Sequence, residues 1–312
     1  MPQRRFRFVQ LDVFTDRVFG GNQLAVFTDA EGLADDEMLA IAREMNYSET
    51  TFVLPAKQSD ALCRVRIFTP SVELPFAGHP VVGTALALAA DGRIAPKAET
   101  ALSGDQAIAR FELGVGTLPV EVHFTDGRPD FVWMTQPLPS FTPWTGQPAR
   151  MAAAIGVPSD ALALESFPIE WGSAGVAFLF VPLRSAADLA AAHPSPELFA
   201  HLVDGGEIGT YLFATQGASP GRAARARLFA PGVGITEDAA TGSAAGPLGA
   251  YLWRHGQIVS GADGTAYGIL EQGIEMGRPS QIHVELAGTP SQVTGVRVGG
   301  RAVMVAEGTL SL

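Results

Sequence analysis

His79 and Glu49 are the residues from which chemistry is first expected in this chain of 312 residues. In ELPFAGHPVVGTALAL, beginning at Glu73, the histidine stands between Gly78 and Pro80, just ahead of a run of small and apolar residues. Proline suits the first turn of a helix, where a missing N–H leaves no bond unmade, and the other N–H groups of that turn can hold an anion. A histidine at such a mouth can donate a hydrogen bond to a substrate or transfer a proton. Capping and packing alone would also account for it. Glu49, in NYSETTFVLP, falls where a helix hands over to a strand and can aim its carboxylate inward. Partial burial there would suit a general base that shuttles a proton near neutrality. A surface glutamate without a chemical role is the plain alternative.

A second mouth of the same kind lies in EDAATGSAAGPLGAYL, where Asp238 precedes Gly242 by four residues and Ser243 adds a hydroxyl. Two helix N-termini facing each other would form one anionic pocket, with N–H groups near Gly78 and Gly242 holding a carboxylate or enolate oxygen. The alanines and glycines after each mouth would let the backbone approach a ligand closely. Asp238 as a simple N-cap is the structural alternative.

Periodicity predicts the elements that must position these residues. FRFVQLDVF reads as a strand, and GGNQLAVF as a glycine turn entering another. LADDEMLAIAREM places Met38, Ile41, Ala42 and Met45 on one helical face, with acids at its start to suit the dipole. TTFVL and VRIFTP predict two more strands before the apolar helix. A common order then occurs twice, in RVRIFTPSVELPFAGHPVVGTALALAADG and in ARARLFAPGVGITEDAATGSAAGPLGAYLWRHG. Each gives a strand, an acid-bearing loop, a glycine at a helix mouth and a helix crowded with small residues. Aligning Gly78 with Gly242 brings Glu73 and Glu237 into equivalent loop positions, which predicts a duplicated unit wrapping its sheet around one helix. VDGGEIGTYLFATQG predicts a turn and a strand, and GTAYGILEQGIEMGRPSQIHVEL a final antiparallel series. Many short strands and few helices argue against a doubly wound parallel sheet. A domain boundary is expected near residues 120–130.

Composition narrows the chemistry further. A formal net charge of −11 disfavours nonspecific binding to nucleic acid or an anionic membrane. Arg222, Arg225 and Arg227 form a short basic cluster, which is read as the alternating solvated face of a strand in preference to a local phosphate site. His123 and His283 fall in predicted strands and His255 at a helix end. With His193 and His201 they show no zinc-type spacing, and Cys63, the single cysteine, cannot supply a thiolate set. One cysteine also excludes an intrachain disulfide and suits a reducing compartment. No GxGxxG unit or Walker loop points to a nucleotide. MPQRRFRFVQLDVF lacks the apolar core of a signal peptide. No segment reaches the roughly 18 to 20 apolar residues of a membrane span. A soluble cytoplasmic protein is expected.

Taken together, LDVFT, GGNQLAV, NYSETTFV, FTPSVELPFAGHPVVGTA, RLFAPGVGITEDAATGSAAGPLGAYL and QGIEMGRPS give the chain a resemblance, over nearly its whole length, to the PhzF-like isomerases of phenazine biosynthesis. These lie within the diaminopimelate-epimerase-like fold. The resemblance implies an α+β protein of two pseudo-symmetric domains, each a curved, mostly antiparallel sheet or barrel around a central helix. Residues 1–125 and 126–312 are the expected domains, with the C-terminal strand available to complete the first. It also implies an active site in the cleft between them and, commonly, a homodimer.

By the same resemblance Glu49 is the acid/base that takes a proton from one carbon and returns it to another in a conjugated system. His79 and Asp238 would orient the substrate and steady its redistributed charge, and Gly78, Gly242 and Ser243 would contact it. Such chemistry needs neither a metal nor a nucleotide, so no cofactor is expected. Related epimerases use two thiols, but Ala77 and Thr241 occupy those places here and Cys63 lies far from both. A second departure is GNQ in place of GNP at Gly21, Asn22 and Gln23, which leaves Asn22 available as a substrate contact. Arg278, in the matching GRPS segment, is open to an anion-facing role or to a salt bridge. The expected function is isomerisation of a small carboxylated, unsaturated cyclic or amino-acid-like metabolite. A non-catalytic binding or protein-interaction module on the same scaffold is the alternative.

Overall fold

A computed structural model describes residues 4–96, 105–195, 197–198 and 209–312. The turn expected in VDGGEI, and His201, lie outside the described residues. Contacts divide the chain into two units. One holds the described residues up to Thr135 together with Gly299–Leu312, and the other holds the described residues of Gln136–Val298.

The first unit begins β1 (Arg5–Val13), β2 (Asn22–Phe27), α1 (Asp35–Met45), β3 (Glu49–Leu54), β4 (Cys63–Phe68), β5 (Glu73–Leu74) and α2 (Gly78–Ala90). It continues with β6 (Gln106–Leu113), β7 (Gly116–Thr125) and β8 (Arg128–Gln136). β1 pairs antiparallel with β2 on one side and with the C-terminal strand, Ala302–Ser311, on the other. β2 runs parallel to β3, and β4 parallel to β6; the other described pairs among these strands are antiparallel.

Both faces of this sheet are covered, which is why β2 is buried along almost its whole length instead of alternating. Ala25 and Phe27 belong to the cluster under α1, where Met38, Ile41 and Ala42 are the buried stripe and Met45 packs at its edge. Glu37 accepts the Ala34 N–H at 2.9 Å, and Asn46 ends α1 in a left-handed conformation with φ of 52°. Leu24 faces α2. That helix is buried on all sides from Gly78 to Ala89, as its uniformly apolar sequence requires. It starts two residues before Pro80, with Ala77 as its N-cap. A β-carbon on Gly83 would lie 2.5 Å from Leu24 Cδ2 and 2.8 Å from Val13 Cγ2, so the missing side chain is what lets α2 settle onto the sheet.

The second unit contains β9 (Ser140–Pro143), α3 (Pro148–Ala154), β10 (Glu170–Ser173), β11 (Ala177–Pro182), α4 (Ala186–Ala191), β12 (Gly209–Ala214) and β13 (Ala224–Ala230). β14 (Ile235–Asp238), α5 (Gly242–Arg254), β15 (Ala266–Gln272), β16 (Ser280–Thr289) and β17 (Gln292–Gly300) follow, and β18 (Ala302–Ser311) is the strand that returns to β1. The parallel pairs recur at matching places: β11 with β12 across α4, and β13 with β15 across α5. α5 is buried from Gly242 to Trp253. α3 and α4 cover the outer face of β11, β12 and β13 through Met151, Leu179, Leu189 and Phe229.

Two details strengthen the reading of an internal repeat and correct two others. Glu73 and Glu237 do not sit in loops. Each lies on a short strand, because the chain after β4 and after β13 folds back and pairs with the strand it has just left. In each unit an arginine of the longer strand grips that glutamate with two bonds, Arg66 to Glu73 at 2.7 and 2.6 Å and Arg227 to Glu237 at 2.8 and 2.9 Å. Each guanidinium also stacks on the phenylalanine two residues on, Phe68 at 5.0 Å and Phe229 at 4.8 Å. The basic cluster at 222–227 is therefore not a solvated face. Arg227 is 7% exposed and also donates to the carbonyls of Leu189 and Ala192 at the end of α4, while Arg225 bonds Glu275 at 2.7 Å.

Candidate active site

In the first unit, strand and helix geometry brings Glu49 to His79. Glu49 and Thr51 share one face of β3, and Thr51 Oγ1 lies 2.9 Å from Thr84 Oγ1 of α2. That contact seats β3 against α2, and Glu49 meets His79 in the first turn of the same helix. The result is a Glu49 Oε2 to His79 Nε2 separation of 3.4 Å between side chains that are almost fully buried.

Asn22, the first residue of β2, lies on the same side of the sheet, two residues before Leu24, which pairs with Glu49. Its Nδ2 is 3.2 Å from His79 Nδ1, and its Oδ1 accepts from Ser48 Oγ at 3.3 Å. Burial pushes the His79 imidazole down to about 3, against a smaller opposite pull from a hydrogen bond with the Gln23 backbone. The ring is therefore neutral near pH 7, and its contact with Glu49 is not an ion pair. Asn22 Nδ2 faces Nδ1, and Nε2 is the ring nitrogen on the Glu49 side. Gly78 is the first residue of α2, so its N–H is among those a helix leaves unpaired.

In the second unit, Asp238 ends β14 and is 4% exposed. It is not the N-cap of α5. That place belongs to Thr241, whose side chain makes no capping bond and donates instead to Asp238 Oδ2 at 2.6 Å. Gln272, at the end of β15, supports the turn: its Nε2 donates to the Asp238 carbonyl at 2.8 Å and to Thr241 Oγ1 at 3.0 Å. Its Oε1 accepts from Thr241 N at 3.0 Å and from Tyr211 OH at 2.8 Å. Gly242 opens α5 and its carbonyl accepts from Gln136 Nε2 at 2.9 Å, with Ser243 buried beside it. Ser280 donates to the Ala239 carbonyl at 2.9 Å, fixing the loop between β14 and α5.

The structure thus gathers Asn22, Glu49, Gly78 and His79 in one unit, and Asp238, Gly242 and Ser243 in the other. Sequence reasoning missed Ser48, Gln272 and Tyr211 as supports. It gave Thr241 no role beyond occupying a place where the resemblance implies a thiol in related epimerases. Arg278 is half-buried in the turn after β15, where its N–H donates to Gly273 and its carbonyl accepts from Ser280. Among the described residues, no group of three or more histidine, cysteine, aspartate or glutamate side chains could hold a metal ion. Nor is any described helix long and apolar enough to cross a membrane.

Comparison with known proteins gives the chain relatives over nearly its whole length. The profile of a family described as phenazine biosynthesis-like protein matches residues 11–308. The trans-2,3-dihydro-3-hydroxyanthranilate isomerase of Pseudomonas aeruginosa is 41% identical over 302 residues, which cover 97% of this chain and 98% of the relative. A crystal structure of a PhzF-family phenazine biosynthesis protein from Bacillus anthracis superposes with a TM-score of 0.84 at 28% identity, covering 98% of this chain and 99% of that one. A hydroxyproline epimerase from Agrobacterium vitis, at 15% identity, shares the fold with a TM-score of 0.67 over 99% of this chain and 93% of its own.

Proposed function

Because this chain belongs to the phenazine-biosynthesis-like family and is an isomerase, we propose that it moves a proton between carbons of a small carboxylated, unsaturated cyclic metabolite by general acid/base catalysis. The observation that carries the reading is the buried contact of Glu49 with a neutral His79 at 3.4 Å. Glu49 removes a proton from one carbon, the electron pair left behind moves along the conjugated system, and the same carboxyl group protonates the distal carbon. Nothing is gained or lost overall, so the product is an isomer. His79, lying against the carboxylate, steadies the charge that spreads through the substrate. Asp238 and Ser243 orient polar groups of the substrate, and the N–H groups that begin α2 and α5 suit its carboxylate.

Trans-2,3-dihydro-3-hydroxyanthranilate, the compound in the name of the Pseudomonas relative, is the first substrate to test. The protein is incubated with it in deuterated water, without added metal or nucleotide, and the product is read by mass spectrometry and NMR. The expected result is a shifted double bond with deuterium incorporation or internal proton return. Glu49→Gln should reduce turnover about 100-fold or more, since it keeps size and polarity but cannot carry the proton. An unchanged substrate with native protein, or near-native turnover by Glu49→Gln, would overturn the reading.

A further inference from the structure

We infer that Thr241 is a positioning residue for Asp238, its hydroxyl held by Gln272 so that its proton points at Asp238 Oδ2. The direction of this bond follows from the partners. Gln272 Oε1 takes two donors, Tyr211 OH at 2.8 Å and Thr241 N at 3.0 Å, while its Nε2 meets the carbonyl of Asp238 at 2.8 Å. Turning the amide over would set its NH2 against a backbone N–H and its oxygen against a carbonyl, so one orientation remains. Tyr211 stays a donor, because burial and the nearby Asp238 charge push its hydroxyl pKa well above the usual range. With the amide fixed, Nε2 also donates to Thr241 Oγ1 at 3.0 Å. The single proton of Thr241 is thereby left for Asp238, at 2.6 Å, a length typical of a hydrogen bond to a charged acceptor.

A structural role for this threonine would look different. N-cap threonines ordinarily accept an N–H from the first turn of their own helix. Thr241 occupies the N-cap of α5 and makes no such bond. Its hydroxyl serves the carboxylate instead, and this anchors one oxygen of Asp238 and favours its ionised form. Glu237, the adjacent acid, is engaged by Arg227 and does not compete for the same donor.

The role rests on the reading of Asp238 as a substrate-orienting residue, so the test pairs kinetics with a measurement that needs no substrate. The titration of the Asp238 carboxyl carbon is followed by NMR in native protein, Thr241→Val and Thr241→Ser, alongside kcat and KM for trans-2,3-dihydro-3-hydroxyanthranilate. Thr241→Val should raise the Asp238 midpoint by about one pH unit and lower turnover about tenfold or more, whereas Thr241→Ser should stay within about threefold of native and keep its midpoint. Thr241→Ala, smaller than the native residue, gives the same comparison if valine prevents folding. An Asp238 midpoint that does not move in Thr241→Val or Thr241→Ala overturns the positioning role. A shifted midpoint in a protein whose native form leaves the substrate unchanged supports the arrangement and rejects the proposed reaction.

Discussion

Glu49 Oε2 and His79 Nε2 lie 3.4 Å apart, and the ring between Glu49 and Asn22 is neutral because it is buried. A neutral imidazole makes no ion pair with the carboxylate it lies against. His79→Gln keeps an amide donor but loses the fixed ring, and should lower kcat about 10- to 100-fold with a near-native circular dichroism spectrum. Unchanged kcat in a folded His79→Gln protein would remove the histidine from the reaction.

The same burial makes stability depend on pH. The folded-state value of His79, about 3, lies below its ordinary value of 6.5, so between those limits the unfolded chain binds the extra proton. Its contribution is fully present above pH 6.5 and is lost as pH falls toward 3, at up to about 1.4 kcal/mol per pH unit. Urea unfolding at pH 7, 6, 5 and 4.5 should therefore show native protein weakening faster than His79→Gln. Parallel curves for the two proteins would show that the ring titrates alike in both states.

Gly83 tests how tightly α2 is seated. Alanine is the better helix former by about 1 kcal/mol. Its β-carbon, though, would lie 2.5 Å from Leu24 Cδ2, and both Leu24 and Val13 are fully buried. Overpacking of this kind costs about 1–3 kcal/mol and should win. Gly83→Ala is expected to lower the urea midpoint with an unchanged m-value, and a rise in the midpoint would mean that the sheet yields without strain.

The two arginine–glutamate pairs should differ although their geometry is shared. Glu237→Ala strands Arg227, whose remaining described bonds are to carbonyls of α4 and its end, and should cost about 3–5 kcal/mol. Glu73 is 40% exposed on its side chain, and Arg66 keeps Asp35 as a second partner. Glu73→Ala should cost about 1 kcal/mol or less. Equal losses, measured by denaturant unfolding, would show that depth of burial does not set the difference.

What was legible in the sequence follows the reach of each signal. β1, α1 and the buried stripe of Met38, Ile41 and Ala42 are local patterns, and they appear where periodicity puts them. Glu49 and His79 could be named because each sits at an element boundary with a recognisable turn. Arg227 was misread because its partner, Glu237, stands 10 residues away across a hairpin that alternation alone does not reveal. Gln272 and Tyr211 carried no signal at all. Gln272 is 31 residues from Thr241 and 61 from Tyr211, and only the parallel pairing of β13 with β15 and the neighbouring β12 gathers them.

The pairing of β18 with β1 makes the first unit discontinuous in sequence. Arg4 and Leu312 exchange two backbone bonds of 2.9 Å, and β1 is flanked by β18 along its whole length. Gln136–Val298 is one continuous stretch of chain, whereas the first unit takes Gly299–Leu312 from beyond it. Without Gly299–Leu312 the unit that carries Glu49 and His79 has an open edge on β1, exposed to any other strand that could pair there. The first unit is therefore closed by a strand encoded after the whole of the second.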